Sequence, residues 1–116
     1  MIEIILKKFL ESKLSVPVLM EQDPKSTASQ FVIIEKTGGA QKNHIPSAII
    51  TVQSYGASKL EAAELNETVK HFMLDGLEGI ITLGEIADIS LNSDYDFTDT
   101  STKRYRYQAV FDITHY

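Results

Sequence analysis

The sequence predicts an α+β domain: a mainly antiparallel sheet of about four to five strands with helices on one side. Three observations carry this. Apolar residues recur at helical spacing in two segments, one at the start of the chain and one in its middle. Between and after them lie segments rich in β-branched and aromatic residues. The last of these alternates apolar and polar side chains, so one sheet face is polar, as in an antiparallel sheet covered on one side only.

Each element follows from its residues. Ile2, Ile5, Leu6, Phe9 and Leu10 form an apolar stripe that predicts a helix over 2–14. Glu3 stands four residues before Lys7, the favourable order for a helical ion pair, and Pro17 bars continuation. "VPVLM" reads as a short extended segment and "EQDPKSTASQ" as a loop. Phe31–Lys36 and Ser47–Gly56 read as strands with consecutive apolar residues, hence central ones covered on both faces at one end. Pro46 sits at a strand start, where a missing N–H is tolerated. The stretch between them, "EKTGGAQKNHIPSA", reads as a long hairpin connector with Gly38 and Gly39 supplying positive φ.

Ser58 and Glu61 make a capping box that opens the second helix. Its stripe is Leu60, Ala62, Leu65, Val69, Phe72 and Met73, and Gly76 supplies its stop. Glu85–Leu91 alternates as a strand, residues 92–103 read as a polar loop, and the last strand alternates from Arg104 onward. Tyr105, Tyr107, Ala109, Phe111 and Ile113 take one face of it, and Arg104, Arg106, Gln108, Asp112 and Thr114 the other.

A chain of 116 residues suggests one domain. Its net charge of −5 argues against a nucleic-acid binder, which needs a surplus of lysine and arginine. The chain has no cysteine, which excludes disulfides and thiolate metal sites and fits a reducing cytoplasm. No apolar run approaches the roughly 18 residues of a membrane helix, and the N-terminal segment lacks signal-peptide features.

Motifs for chemistry fail on their details. The adjacent glycines at 38 and 39 are not followed by Lys-Ser or Lys-Thr, and a strand rather than a helix comes next, so a phosphate-cradling loop is not expected. "DYDFTD" begins like a calcium loop, but Thr98, Asp99 and Tyr105 occupy positions that need a carboxylate or amide, a glycine and a glutamate. A solvated turn is the expectation there. His44, His71 and His115 lack metal-ligand spacing. Asp88 and Asp112 fit the polar face of strands without acid/base work. Tyr105 and Tyr107 point away from Arg104 and Arg106, so core aromatics and solvated arginines are expected rather than a base-stacking surface. No cofactor, metal or catalytic role is expected, and assembly or binding is favoured over an enzyme.

The ordered set of a short N-terminal helix, "VPVLMEQDP", "QFVIIEKTGG", "AIITVQSYGAS" running into "KLEAAELNETVKHFM", and the closing "KRYRYQAVFDITHY" resembles the tail-completion or tail-terminator proteins of long-tailed bacteriophages and prophages. The resemblance covers nearly the whole chain; "LNSDYDFTDTSTK" does not match it. It implies a twisted antiparallel sheet with two helices packed on one face. It further implies a structural role: a homohexameric ring that caps the head-proximal end of the tail tube, stops polymerisation and joins the head. The partners so implied are other copies of the chain, the tail tube protein and the head connector or head-completion protein. DNA passes through without specific binding, and no membrane is involved. The expected location is the bacterial host cytoplasm during assembly, then the virion tail.

A ring of rotated copies uses heterologous contacts, one patch meeting a different one. The long connector is the expected contact, through Lys36, Gly38, Gly39, Gln41, Lys42, Asn43 and His44, with Asp94, Asp96, Asp99 and Lys103 of the acidic loop as further candidates. The rival readings are a head-completion or tail tube protein of the same joint and, more distantly, a ferredoxin-like domain that binds a small ligand.

Overall fold

The computed structural model describes residues 2–20, 30–42, 45–75, 86–96, 98 and 105–115. The elements are α1 (Ile2–Lys13), β1 (Val18–Leu19), β2 (Phe31–Lys42), β3 (Ile45–Gly56), α2 (Lys59–Asp75), β4 (Ile86–Asp96) and β5 (Tyr105–His115). Their order is the one expected from the sequence. The strands form one open five-stranded sheet in the order β1-β2-β3-β5-β4. It is mixed: β1 runs parallel to β2, and all other neighbours are antiparallel.

Both helices lie on one face. Leu6, Phe9 and Leu10 of α1 and Leu65, Val69 and Met73 of α2 pack with Val32, Ile34, Ala48, Ile50, Val52, Ala109, Phe111 and Ile113. The register explains the set: Ala48, Ile50 and Val52 stand opposite Ile113, Phe111 and Ala109 on adjacent strands. Alternation then turns their chain neighbours to the other face. There a smaller cluster forms from Phe31, Ile33 and Tyr55, with Leu19 against it. α1 sits over the β1–β2 side, whereas α2 contacts β3, β5 and β4.

The N-terminal cap of α2 is where the residues predict it, and Gly76, read as its stop, lies outside the described residues. Ser58 Oγ accepts the Glu61 amide at 3.2 Å, and the Glu61 carboxylate accepts the Ala57 amide at 2.9 Å. Pro17 lacks an N–H, but its carbonyl accepts the Val32 amide at 2.9 Å where β1 joins β2. Leu60, assigned to the apolar stripe, lies in the first turn of α2 and is exposed, while Asn66 is buried among the stripe residues.

Two expected loops are strand instead. β2 and β3 continue pairing past Lys36 through Lys42↔Ile45, with a bulge between Lys36 and Gly38. The long connector thus shrinks to Asn43 and His44, which lie outside the described residues. Cross-strand pairing with Ile45–Ile50 overrides the poor strand propensity of "TGGAQK". Gly38 has extended backbone rather than positive φ; a Cβ there would stand 3.3 Å from the Ile49 side chain. At the other side of the sheet, β4 runs on to Asp96, with bulges at Ile86/Asp88 and Leu91/Ser93. β5 templates it, so a polar run pairs as strand.

Candidate functional site

The candidate contact residues fall into two groups that the fold keeps apart. Lys36, Gly38, Gly39, Gln41 and Lys42 lie on β2, towards the end of the sheet where Lys42 pairs with Ile45. Asp94 and Asp96 lie on β4, level with Ile34 and Val32 near the opposite end of the sheet, and on its other lateral edge. No single patch unites the groups. Asp99 and Lys103 lie outside the described residues.

The β4 carboxylates are engaged within the molecule. Asn66 Nδ2 donates to Asp94 Oδ1 at 2.7 Å, and Lys70 Nζ donates to Asp94 Oδ2 at 2.5 Å. Lys70 also reaches Glu67 at 2.6 Å. The bond to Asp94, then that to Glu67, raises the Lys70 pKa above its ordinary value, outweighing desolvation. Asp96 accepts the Thr98 hydroxyl at 2.5 Å and the Thr98 amide at 3.0 Å, and pairs with Lys59 at 3.3 Å. The Thr98 hydroxyl, then its amide, holds the Asp96 carboxyl below the ordinary range, and Lys59 adds to this. These contacts strap β4 to α2 and close its end with an Asx turn. Among the described residues no cluster of His, Cys, Asp and Glu could hold a metal ion.

The helix-free face carries an arrangement that sequence reading missed. Arg106 donates to the Tyr55 hydroxyl at 3.0 Å, Tyr55 donates to Gln53 Oε1 at 3.1 Å, and Gln53 Nε2 donates to Gln108 Oε1 at 3.1 Å. Gln108 Nε2 in turn donates to the Tyr95 hydroxyl. Arginine can only donate, so the Tyr55 hydroxyl accepts at that link, and each later group in the chain accepts from one neighbour and donates to the next. Phe31 stacks on Tyr55 with ring centroids 4.5 Å apart, and the Arg106 guanidinium lies 5.9 Å from the Tyr55 centroid. Sequence reading put Arg106 on this face; its partners depend on the β3–β5 register, which alternation alone does not reveal.

Among the described residues two shallow grooves flank α2. One, of about 360 Å³, lies where the end of α1 meets α2 and includes Leu14, Val16, Glu64 and Phe72. The other, of about 340 Å³, runs between α2 and β4 and includes Lys70, His71, Leu74 and Leu91. Neither gathers the converging polar groups of a small-molecule site. No protein-family model and no curated protein sequence matches the chain.

Proposed function

We propose that this protein is a structural assembly protein of the tail-terminator kind, which caps the head-proximal end of a phage tail tube as a ring, stops its growth and offers a joining surface to the head. One observation carries the reading: among the described residues the sheet ends in β1 and β4 with no further strand beyond either, and it bears both helices on one face. That is the architecture the sequence resemblance implies. A subunit that works by contact with copies of itself and with a tube needs extended edges and faces rather than an enclosed pocket. The 12-residue strands β2 and β3 supply such a surface, since their last pairs, Ala40↔Ser47 to Lys42↔Ile45, extend beyond Ala48, a buried core residue. The role is not catalytic, and DNA in the channel is held off by an acidic chain of net charge −5 rather than bound.

Light scattering across a concentration series, with negative-stain imaging of the same sample, tests the reading. A discrete ring, free or captured on added tail tubes, supports a terminator. Long self-assembled tubes would make it a tube protein. A species that ignores tubes but binds head connectors would place it on the head side of the joint. A monomer that ignores both and gains thermal stability from a metabolite would sink the assembly reading in favour of a ligand-binding domain.

A further inference from the structure

Building on the assembly reading, we propose that neighbouring copies join edge to edge, the β4 edge of one against the open part of the β2 edge of the next, so that one sheet runs on through the interface. The topology sets up the join. Among the described residues β1 pairs with β2 at Val32 and Ile33, and Glu35, Lys36 and Thr37 beyond it are exposed. β4 ends the sheet on the other side, and Ser90, Leu91, Asn92, Asp94, Tyr95 and Asp96 are exposed along it. Such edges are templates for another strand unless something covers them.

The levels and directions agree. Through the successive pairings, Asp88, Ile89, Ser90 and Leu91 of β4 stand level with Ala40, Gly39, Gly38 and Lys36 of β2. β2, β3, β5 and β4 are successively antiparallel, so β4 and β2 run in opposite senses. Copies related by rotation about an axis along the strands therefore meet as an antiparallel pair. The adjacent glycines lie in the proposed contact, where a small residue lets another backbone approach closely.

Charge chooses the partner edge. In sequence β4 carries Asp88, Asp94 and Asp96 and no cation. Lys70 and Lys59 of α2 already pair with Asp94 and Asp96, so Asp88 is the carboxylate in the proposed ladder. By contrast, β2 beyond Ile33 carries Lys36 and Lys42 against Glu35. Pairing β4 with β4 sets like charges against one another, and pairing β4 with β2 sets opposite ones together. The bulges at Ile86/Asp88 and Leu91/Ser93 confine a regular ladder to the segment between them.

Apolar exposure points the same way. Most of the exposed large hydrophobics flank the two edges: Leu74, Leu91 and Tyr95 beside β4, and Ile4 and Met20 on the α1–β1 side that flanks β2. A join covers both sets at once, which explains why they cluster at the sides of the sheet.

The chain has no cysteine, so introduced cysteines report contact without background. Within one copy, β4 and β2 are separated by β5 and β3, about 14 Å at the usual strand spacing, too far for a disulfide. Asp88→Cys is combined with Ala40→Cys, and Ser90→Cys with Gly38→Cys, the positions that stand level, and each pair is oxidised at assembling concentration and sized under denaturing conditions. The proposal expects a ladder of linked chains ending at the ring size. Asp88→Lys and Lys42→Glu provide a second arm: each alone raises the concentration needed for assembly up to about fivefold, and the two together restore it. A ring that forms with neither crosslink nor charge rescue overturns the edge join and leaves the assembly reading standing. A monomer without crosslinks at every concentration also overturns the join, and capture on tail tubes then decides the assembly reading separately.

Discussion

On the helix-covered side of the sheet, Ile50, Val52, Ala109 and Phe111 are fully buried against two helices. One residue along each strand, on the other side, Gln53, Tyr55, Arg106 and Gln108 form a chain of directed hydrogen bonds. The same strands thus build one face by apolar burial and the other by donor–acceptor order. Burial is non-directional and roughly proportional to area, so it supplies stability. Directed bonds contribute less net free energy, because water competes for every partner, but they fix side chains in one geometry. The covered face makes the fold stable, and the opposite face holds its polar side chains in one ordered arrangement.

The largest effect expected from this contrast is at Phe111. Its side chain is fully buried and touches the packing of both helices on the sheet. Phe111→Ala should lower unfolding free energy by about 3–5 kcal/mol, the usual cost of a large-to-small core change. A urea titration checks it through a drop in midpoint at constant m. A loss under 1 kcal/mol would mean that the covered face is not the stabilising one.

Next in size is the junction where α2 leaves the end of β3. A Cβ on Gly56 would lie 2.6 Å from the Ala62 amide nitrogen and 2.9 Å from Glu61 Cβ. These are atoms of the first turn of α2, whose cap Ser58 and Glu61 hold in place. Gly56→Ala should therefore push the helix start away from the sheet and cost about 1–3 kcal/mol, in the range of overpacking. Far-UV circular dichroism with thermal melting reads the loss; an unchanged melting temperature would show that the helix can shift freely.

How legible these regions were follows from how local their signals are. The capping box lies within four residues, and the β5 alternation is complete in one strand, so both could be read directly. The buried Asn66 could not, because its partner Asp94 is 28 residues away on another element. The strand status of "TGGAQK" and "LNSDYD" comes from the neighbouring strands that template them, against their own propensity. The hydrogen-bond chain needs the register of β3 on β5, which no single-strand pattern contains. For the contact residues, the sequence pointed to two polar stretches but not to their separation on opposite edges of the sheet.

A smaller effect is expected on the open face. Tyr55→Phe keeps the ring that stacks on Phe31 but removes the hydroxyl that accepts from Arg106 and donates to Gln53. The chain is cut at its second link, and Gln53 loses the bond that orients it. Because Arg106 and Gln53 are only half-buried, water can replace the lost partner, and the cost should be about 1 kcal/mol. The sharper readout is order: side-chain amide resonances of Gln53 and Gln108, distinct in the parent, should move towards averaged values in the variant. Unchanged amide resonances would show that the Tyr55 hydroxyl does not orient Gln53.

The smallest effect separates the edge strand from both faces, through pH. Asp96 is held below the ordinary 3.8 first by the Thr98 hydroxyl, then by the Thr98 amide, with Lys59 adding to them. A carboxyl with a depressed folded pKa contributes stability that is full above its unfolded value and is lost as pH falls through its folded value. Lys70, held above the ordinary 10.5 first by Asp94 and then by Glu67, acts in the opposite sense: its contribution is full below that value and disappears as pH rises through the folded one. The straps between α2 and β4 should therefore weaken at both ends of the pH scale, while packing around Phe111 has no titrating group to lose. Hydrogen exchange measured by amide tests this directly. Thr98→Ala should speed exchange in β4 at neutral pH, and its difference from the parent should close below about pH 4, where Asp96 begins to take up its proton. Exchange in β3 should be the same in both proteins throughout. If β3 followed β4, the edge strand and the core would open as one unit, and the contrast between a packed face and a strapped edge would fail.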